Sequence, residues 1–243
     1  MSKTQNPRAT GTEERLLSRL QTTATILGPI LAILLVAYAV TVTNAPIDRI
    51  QGVIQKILYV HPPLAYGAYL GFIVTAFAGA TYLWKGSENA DRLALSGAEV
   101  GLLFCTLMMI TGPIWARGTW GQWWSWDPRL TATLLLWLIY LAYLLLRAFG
   151  EPGPRTARLA AVYGIVGALL IPINYYVIDL FGGRSMHPEN LKQGSLGAGM
   201  GLPFAVANLT LGVAFLYLLA KRWQLEILRF EAAREQALEG ERT

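Results

Sequence analysis

The 243 residues are 54% hydrophobic and 14% charged, with a mean hydropathy of +0.41 and a formal net charge of +5. So large an apolar fraction exceeds what one soluble domain buries, which excludes an ordinary soluble enzyme. The basic balance is no nucleic-acid footprint either, because its Lys and Arg are dispersed over short connections rather than gathered on one face.

A membrane-spanning helix needs ~20 mostly apolar residues. Six separated stretches meet that length, roughly 22–43, 62–84, 93–115, 130–149, 157–180 and 200–220. The expected fold class is therefore all-α, a polytopic membrane protein with six transmembrane helices. The first stretch follows Arg15 and Arg19 but is longer than a signal core and lacks a small-x-small cleavage site, so it reads as a helix that is kept. Of the twenty Lys and Arg, Arg49, Lys56, Arg117, Arg129, Arg184 and Lys192 fall in the odd-numbered connections, and the rest fall in the tails and even-numbered connections. By the positive-inside bias, both termini are expected in the cytoplasm and the odd-numbered connections outside.

In chain order, residues 48–59 place Ile50, Val53, Ile54, Ile57 and Leu58 at helical spacing, a pattern suited to a helix on the outer interface. His61 precedes Pro62 and Pro63, which bias it away from helical geometry and set it at the mouth of the second span. The third span holds the single Cys105, so no internal disulfide forms, and also Glu99, a carboxylate expected to be functional or to bond between helices. The third connection carries Trp120-Gly121-Gln122-Trp123-Trp124-Ser125-Trp126-Asp127, with Trp115 one turn earlier. If that segment is helical, Trp120, Trp123, Trp124 and Asp127 share one face. Asp127-Pro128-Arg129 is also a good helix start, with Asp127 as N-cap. Pro172 and Asn174 in span five read as kink and packing features. The fifth connection, 181–196, is rich in Gly, Ser and Asn and holds the second histidine, His187, beside Pro188. The tail from Lys221 shows helical spacing of mixed charge. The chain divides into 1–223, the transmembrane unit with its tryptophan-rich outer loop 115–128, and 224–243, a cytoplasmic tail.

Interfacial tryptophans are common, and Trp84 and Trp223 fit that role. Four indoles within seven residues do not; they form an aromatic surface suited to a flat macrocycle. Both histidines of the chain fall on the same expected side, and neutral imidazole is the usual axial ligand of haem iron. Two of them facing one compartment can grip an iron from both sides. Haem propionates need cations, for which Arg117, Arg129, Arg184 and Lys56 are candidates on that side, Arg129 and Arg184 foremost. Met186 offers an alternative sulfur donor. No phosphate-binding Gly-rich motif occurs, so any nucleotide-driven step lies in another chain.

The motif Trp120 to Asp127, continued by Pro128-Arg129-Leu130-Thr131 and joined by Tyr59-Val60-His61 and His187, resembles the CcmC family, the haem-handling C component of the cytochrome c maturation system within the tryptophan-rich WWD-motif superfamily. The resemblance covers the six spans and implies a bacterial inner-membrane protein with its haem site facing the periplasm. It implies His61 and His187 as axial ligands of transiently bound haem b, and Trp120, Trp123, Trp124, Trp126 and Asp127 as the haem platform. It further implies delivery to a periplasmic, CcmE-like haem chaperone, with CcmA- and CcmB-like transporter components and a small CcmD-like subunit as partners. The role is binding and transfer rather than enzymatic turnover, extending at most to promoting covalent attachment of haem to the chaperone. The rival is a membrane cytochrome b with permanent bis-histidine haem, which favours ligands inside helices. A third reading, a haem-free channel, leaves the two histidines unexplained.

Overall fold

The computed structural model describes residues 11–180, 186–188, 191 and 196–240. Seven α-helices follow in order: α1 (Gly11–Thr43), α2 (His61–Lys85), α3 (Glu88–Trp120), α4 (Pro128–Phe149), α5 (Pro154–Ala168), α6 (Leu170–Leu180) and α7 (Gly201–Gly240), with a 3₁₀ helix at Val53–Tyr59 before α2. Among the described residues no β-strand forms beyond one isolated bridge between Asp48 and Gly52. Taking α5 with α6, six helical segments are long and apolar enough to cross a membrane. The chain is a multi-pass all-α membrane protein.

Several boundaries differ from the hydropathy reading. Spans one and three extend further into polar sequence, to Gly11 and from Glu88 to Trp120. Capping and ion pairing, which hydropathy does not register, hold those turns: Ser87 caps α3, and Glu13 of α1 pairs with Arg92 at 2.9 Å. The fifth span is broken at Leu169, whose N–H is shared between the carbonyls of Ile165 and Val166. Pro172 accounts for the break, since it has no N–H for the Ala168 carbonyl and its ring crowds that carbonyl. The expected tail helix is continuous with the sixth span. At 40 residues and ~1.5 Å per residue, α7 is about twice the thickness of a bilayer core.

At the centre, α2 and α3 cross closely. Gly67 and Gly71 on α2 meet Phe104, Gly97 and Gly101 on α3; a Cβ on Gly71 would collide with the Gly101 backbone. Stripes of small residues allow such approach where lipid supplies no hydrophobic drive for helix pairing. Tyr140 of α4 stacks on Phe72 at 3.6 Å and donates to the Gly164 carbonyl at 3.0 Å, bringing α4 and α5 onto α2. α1 packs against α7, and none of its apolar window is buried, so this helix presents itself to lipid.

At the end of the bundle that carries the termini, α3 is the hub of three ion pairs. Arg92 bonds Glu13 of α1, Arg147 of α4 bonds Asp91 at 2.8 Å, and Arg222 of α7 bonds Glu99 at 2.7 Å. Glu99 is thus an interhelical partner, one of the two roles the sequence allowed. Removing one member of a fully buried pair costs ~3–5 kcal/mol, and partial exposure reduces this. Arg222→Met is therefore expected to destabilise by about 1–3 kcal/mol, read from thermal unfolding in detergent. Adding Glu99→Gln to that variant should recover part of the loss.

Candidate functional site

The remote end of the bundle is held open by a set of local choices in the sequence. Of the helix expected over 48–59 only Val53–Tyr59 is helical, as a 3₁₀ helix that buries Leu58 and Tyr59 and leaves Val53 exposed, with Ile50 exposed in the turn before it, a pattern suited to an interfacial segment. Immediately after it, Val60 caps α2 and its carbonyl accepts from Leu64 N–H at 3.0 Å. His61 is the first helical residue, where a non-helical conformation was expected from the following prolines. Pro62 and Pro63 occupy the first turn, whose N–H groups need no intrahelical acceptor, so the helix begins there without loss.

α3 ends at Trp120, and Gly121 closes it in the left-handed conformation at φ 75°. Residues 121–127 are consequently not helical, and the face that a helix would have presented does not form. Trp120 and Trp124 line a cavity beneath this segment, whereas Trp123 and Trp126 are 59% and 75% exposed. Asp127 is buried and caps α4 by accepting from Leu130 N–H at 3.0 Å and from the Ser125 hydroxyl at 3.1 Å. It fulfils the N-cap role read from Asp-Pro-Arg.

The cavity, of about 180 Å³, lies between α2, α3, α4 and α6 and is lined largely by aromatic and aliphatic side chains, with His61, His187 and Arg129 among them. Its two histidines, far apart in sequence, have ring centroids 6.3 Å apart and planes inclined by 40°. Metal–imidazole bonds of ~2 Å place two rings facing each other across one ion with centroids about 6 Å apart, which is the spacing of this pair. Trp115 stands edge-on to His61 at 6.0 Å and is itself fixed by Nε1 donating to Gln51 Oε1 at 2.8 Å.

Hydrogen bonding assigns the tautomers. Thr111 Oγ1 lies 3.0 and 3.1 Å from the Leu107 and Met108 carbonyls, which take its proton, so it accepts Nδ1–H of His61 at 3.1 Å. His187 Nδ1 lies 2.8 Å from the Pro188 carbonyl, which only accepts. In both rings Nδ1 therefore carries the proton and Nε2 the lone pair, the arrangement that orients a metal-binding imidazole. Burial holds the His187 pKa below its ordinary value, favouring the neutral form that ligates. Among the described residues, no cluster of three His, Cys, Asp or Glu exists. Two protein donors leave a bare zinc short of ligands, but they complete an iron that brings its own macrocycle.

Arg129 is only 7% exposed and reaches into the cavity wall, donating Nη1 to the Asn174 carbonyl at 2.9 Å. The other sequence candidates lie elsewhere. Arg117 donates to the Gly121 carbonyl at the end of its own helix, and Lys56 donates to the Thr43 carbonyl at 2.7 Å; neither lines the cavity. Arg184 lies outside the described residues. Met186 Sδ accepts from Gln122 Nε2 at 3.0 Å, tying the loop that carries His187 to the tryptophan segment. Trp124 Nε1 is buried without an acceptor on the cavity wall, so an incoming oxygen would satisfy it.

Sequence reasoning missed Thr111, Gly112, Tyr69 and the depth of Asn174. Gly112 faces His61 so closely that a Cβ there would stand 3.0 Å from Cε1. No pattern marks these positions, because a threonine or glycine inside a span is normally a packing residue.

A six-span bundle with an aromatic cavity and two neighbouring imidazoles at one end defines a multi-pass membrane protein with a histidine-lined cavity. The family model described as Heme exporter protein C matches residues 7–238. Relatives described as Heme exporter protein C include one from Bradyrhizobium diazoefficiens, 34% identical over 206 residues that cover 82% of this chain and 76% of the relative. One from Haemophilus influenzae is 30% identical, covering 78% of each chain, and one from Escherichia coli K12 is 31% identical over 138 residues, 56% of this chain and 55% of the relative. The chain belongs to the Heme exporter protein C family.

Proposed function

We propose that this chain binds haem at the outer face of the bacterial inner membrane, between His61 and His187, and delivers it to a periplasmic haem chaperone during cytochrome c maturation. The observation that carries the reading is the convergence of the chain's two histidines to 6.3 Å in one aromatic cavity, each with its lone pair on Nε2. Residues 1–223 act as the haem-handling unit with both termini cytoplasmic, and 224–243 as the cytoplasmic tail. Trp120 and Trp124 supply the wall for the macrocycle, and Trp123, Trp126 and Asp127 complete the platform by shaping its outer edge. Arg129, the one of the four candidate cations that lines the cavity among the described residues, serves the propionates.

Haem b is cargo here, so its binding is transient. His61 sits on a rigid helix while His187 hangs from a connection, which lets one ligand yield while the other holds. This asymmetry favours a donor over a permanent cytochrome b, in which rigid helices hold both ligands. CcmA- and CcmB-like transporter components and a CcmD-like subunit complete the assembly and supply the energy that this chain lacks; its own contribution is binding, orientation and hand-over, including promotion of the chaperone's covalent attachment to haem.

Mixing the haem-loaded protein with apo-chaperone tests the reading. Appearance of chaperone-bound haem that survives denaturation, with matching loss from this protein, supports it; haem that stays put under all conditions returns the site to the cytochrome reading. A finer expectation concerns Thr111. Losing the partner that orients a metal-bound imidazole costs about 10–100-fold in affinity, so Thr111→Val should weaken haem binding by about that factor in a spectroscopic titration, with the fold intact.

A further inference from the structure

The segment ahead of α2 closes part of the cavity wall, and a hydrogen bond joins it to α3. Asp48 Oδ1 accepts from the N–H groups of Ile50 and Gln51 at 2.8 and 2.7 Å, and the Asp48 carbonyl accepts from Gly52 N–H at 3.0 Å. Gly52 leaves this turn at φ 63°, a conformation that side chains disfavour. The turn is closed by its own bonds and presents Gln51, whose Oε1 accepts from Trp115 Nε1 at 2.8 Å. Three residues beyond Trp115, Gly118 makes room for Ile54, since a Cβ there would stand 2.5 Å from Ile54 Cγ1. The segment is thus seated on the last turns of α3, and both Gln51 and Trp115 line the cavity.

An indole at a membrane interface ordinarily gives its N–H to water or a headgroup, so the fold does not require a protein acceptor for it. A dedicated acceptor on a pre-closed turn matters where the plane of the indole matters. That plane meets His61: the two rings stand 6.0 Å apart at 80°, a T-shaped contact that depends on ring orientation. Trp115 packs against the cluster of Ala45, Leu58, Tyr59 and Ala207, and the bond to Gln51 fixes its rotation there. Thr111 accepts from Nδ1 of His61 and Gly112 leaves room beside Cε1, which settles where the imidazole sits. A hydrogen bond at one corner still lets the ring tilt, and the contact with Trp115 restrains that tilt.

We infer that Gln51 is a positioning residue: held by the Asp48–Gly52 turn, it fixes the indole of Trp115, which in turn sets the plane in which His61 meets iron. The inference rests on the haem reading above and deepens it, because it makes the segment ahead of α2 part of the ligand's support. It also sharpens the asymmetry between the two ligands. His61 is braced from α3 and from the outer segment, so it is the ligand that keeps the iron while His187 yields.

The test titrates ferric haem b into the purified full-length protein, Gln51→Leu, Gln51→Glu, Trp115→Phe and the double variant Gln51→Leu/Trp115→Phe. Each loaded sample is then examined by electron paramagnetic resonance, because the largest g value of a low-spin ferric haem with two imidazoles depends on the angle between their planes. Gln51→Leu should lose about three- to tenfold in haem affinity, the worth of one hydrogen bond, and should shift or broaden that g value at an unchanged thermal midpoint. Gln51→Glu keeps an acceptor oxygen and should restore both. Trp115→Phe deletes the indole N–H, so adding Gln51→Leu to it should cost nothing more. Wild-type affinity and g values in Gln51→Leu, an undiminished loss in the Trp115→Phe background, or a loss that follows a falling thermal midpoint without a shift in g would each overturn the inference while leaving the haem reading intact. Wild-type protein without a low-spin haem signal would sink both.

Discussion

Replacing His187 with alanine is expected to abolish six-coordinate, low-spin haem and to lower haem content by at least about tenfold, since removing merely a partner of a ligating imidazole costs about 10–100-fold. His61→Ala should do the same. The two variants should then differ in rescue. Added imidazole can enter where His187 was, because that ring hangs from the connection at the cavity mouth and its loss leaves the helices undisturbed. At His61 the ring fills a niche between Gly112 and Trp115, so vacating it lets the α3 wall relax and rescue should be weaker. Absorption spectra of the two purified variants with and without imidazole check this. Two variants that keep wild-type spectra would contradict the ligand assignment.

The second large effect is structural. Gly71→Leu sets a side chain against the backbone of Gly101, where no flexible neighbour can yield. Overpacking costs ~1–3 kcal/mol when side chains can adjust, so a clash with backbone should cost about 3 kcal/mol or more and lower the thermal midpoint in detergent accordingly. Spreading α2 from α3 also parts His61 from Thr111, so haem binding should fall with stability. Gly28→Ala is the control. Its Cβ would meet only Tyr217 at 3.7 Å, an ordinary contact, and its stability should stay within about 0.5 kcal/mol of wild type or rise slightly.

The spans were legible because length and hydropathy alone decide whether a helix can cross a bilayer. Asp127 was legible as a cap because its effect is local to Pro128 and Leu130. The Trp120 to Asp127 segment was only half legible: its density of indoles announced a site, but Gly121 stops the helix, and the conformation after a left-handed cap decides which rings turn inward. The pairing of His61 with His187 could be guessed from their common side, yet their spacing depends on where α2, α3 and the fifth connection meet. Arg129 was singled out for its neighbourhood, whereas Asn174 looked like packing because its partners Tyr69 and Thr133 are on other helices. Glu99 was recognisable as an intramembrane carboxylate, and only the packing of α7 supplies Arg222 to it.

The most direct test of the central claim is the visible spectrum of the detergent-purified wild-type protein, prepared with and without the co-expressed haem chaperone. Two neutral imidazoles on one iron predict a low-spin haem spectrum that is strongest when the chaperone is absent and fades when it is present to take the cargo. A wild-type protein that carries no haem in either preparation would contradict the account and leave the two histidines and the tryptophan segment as interfacial features alone.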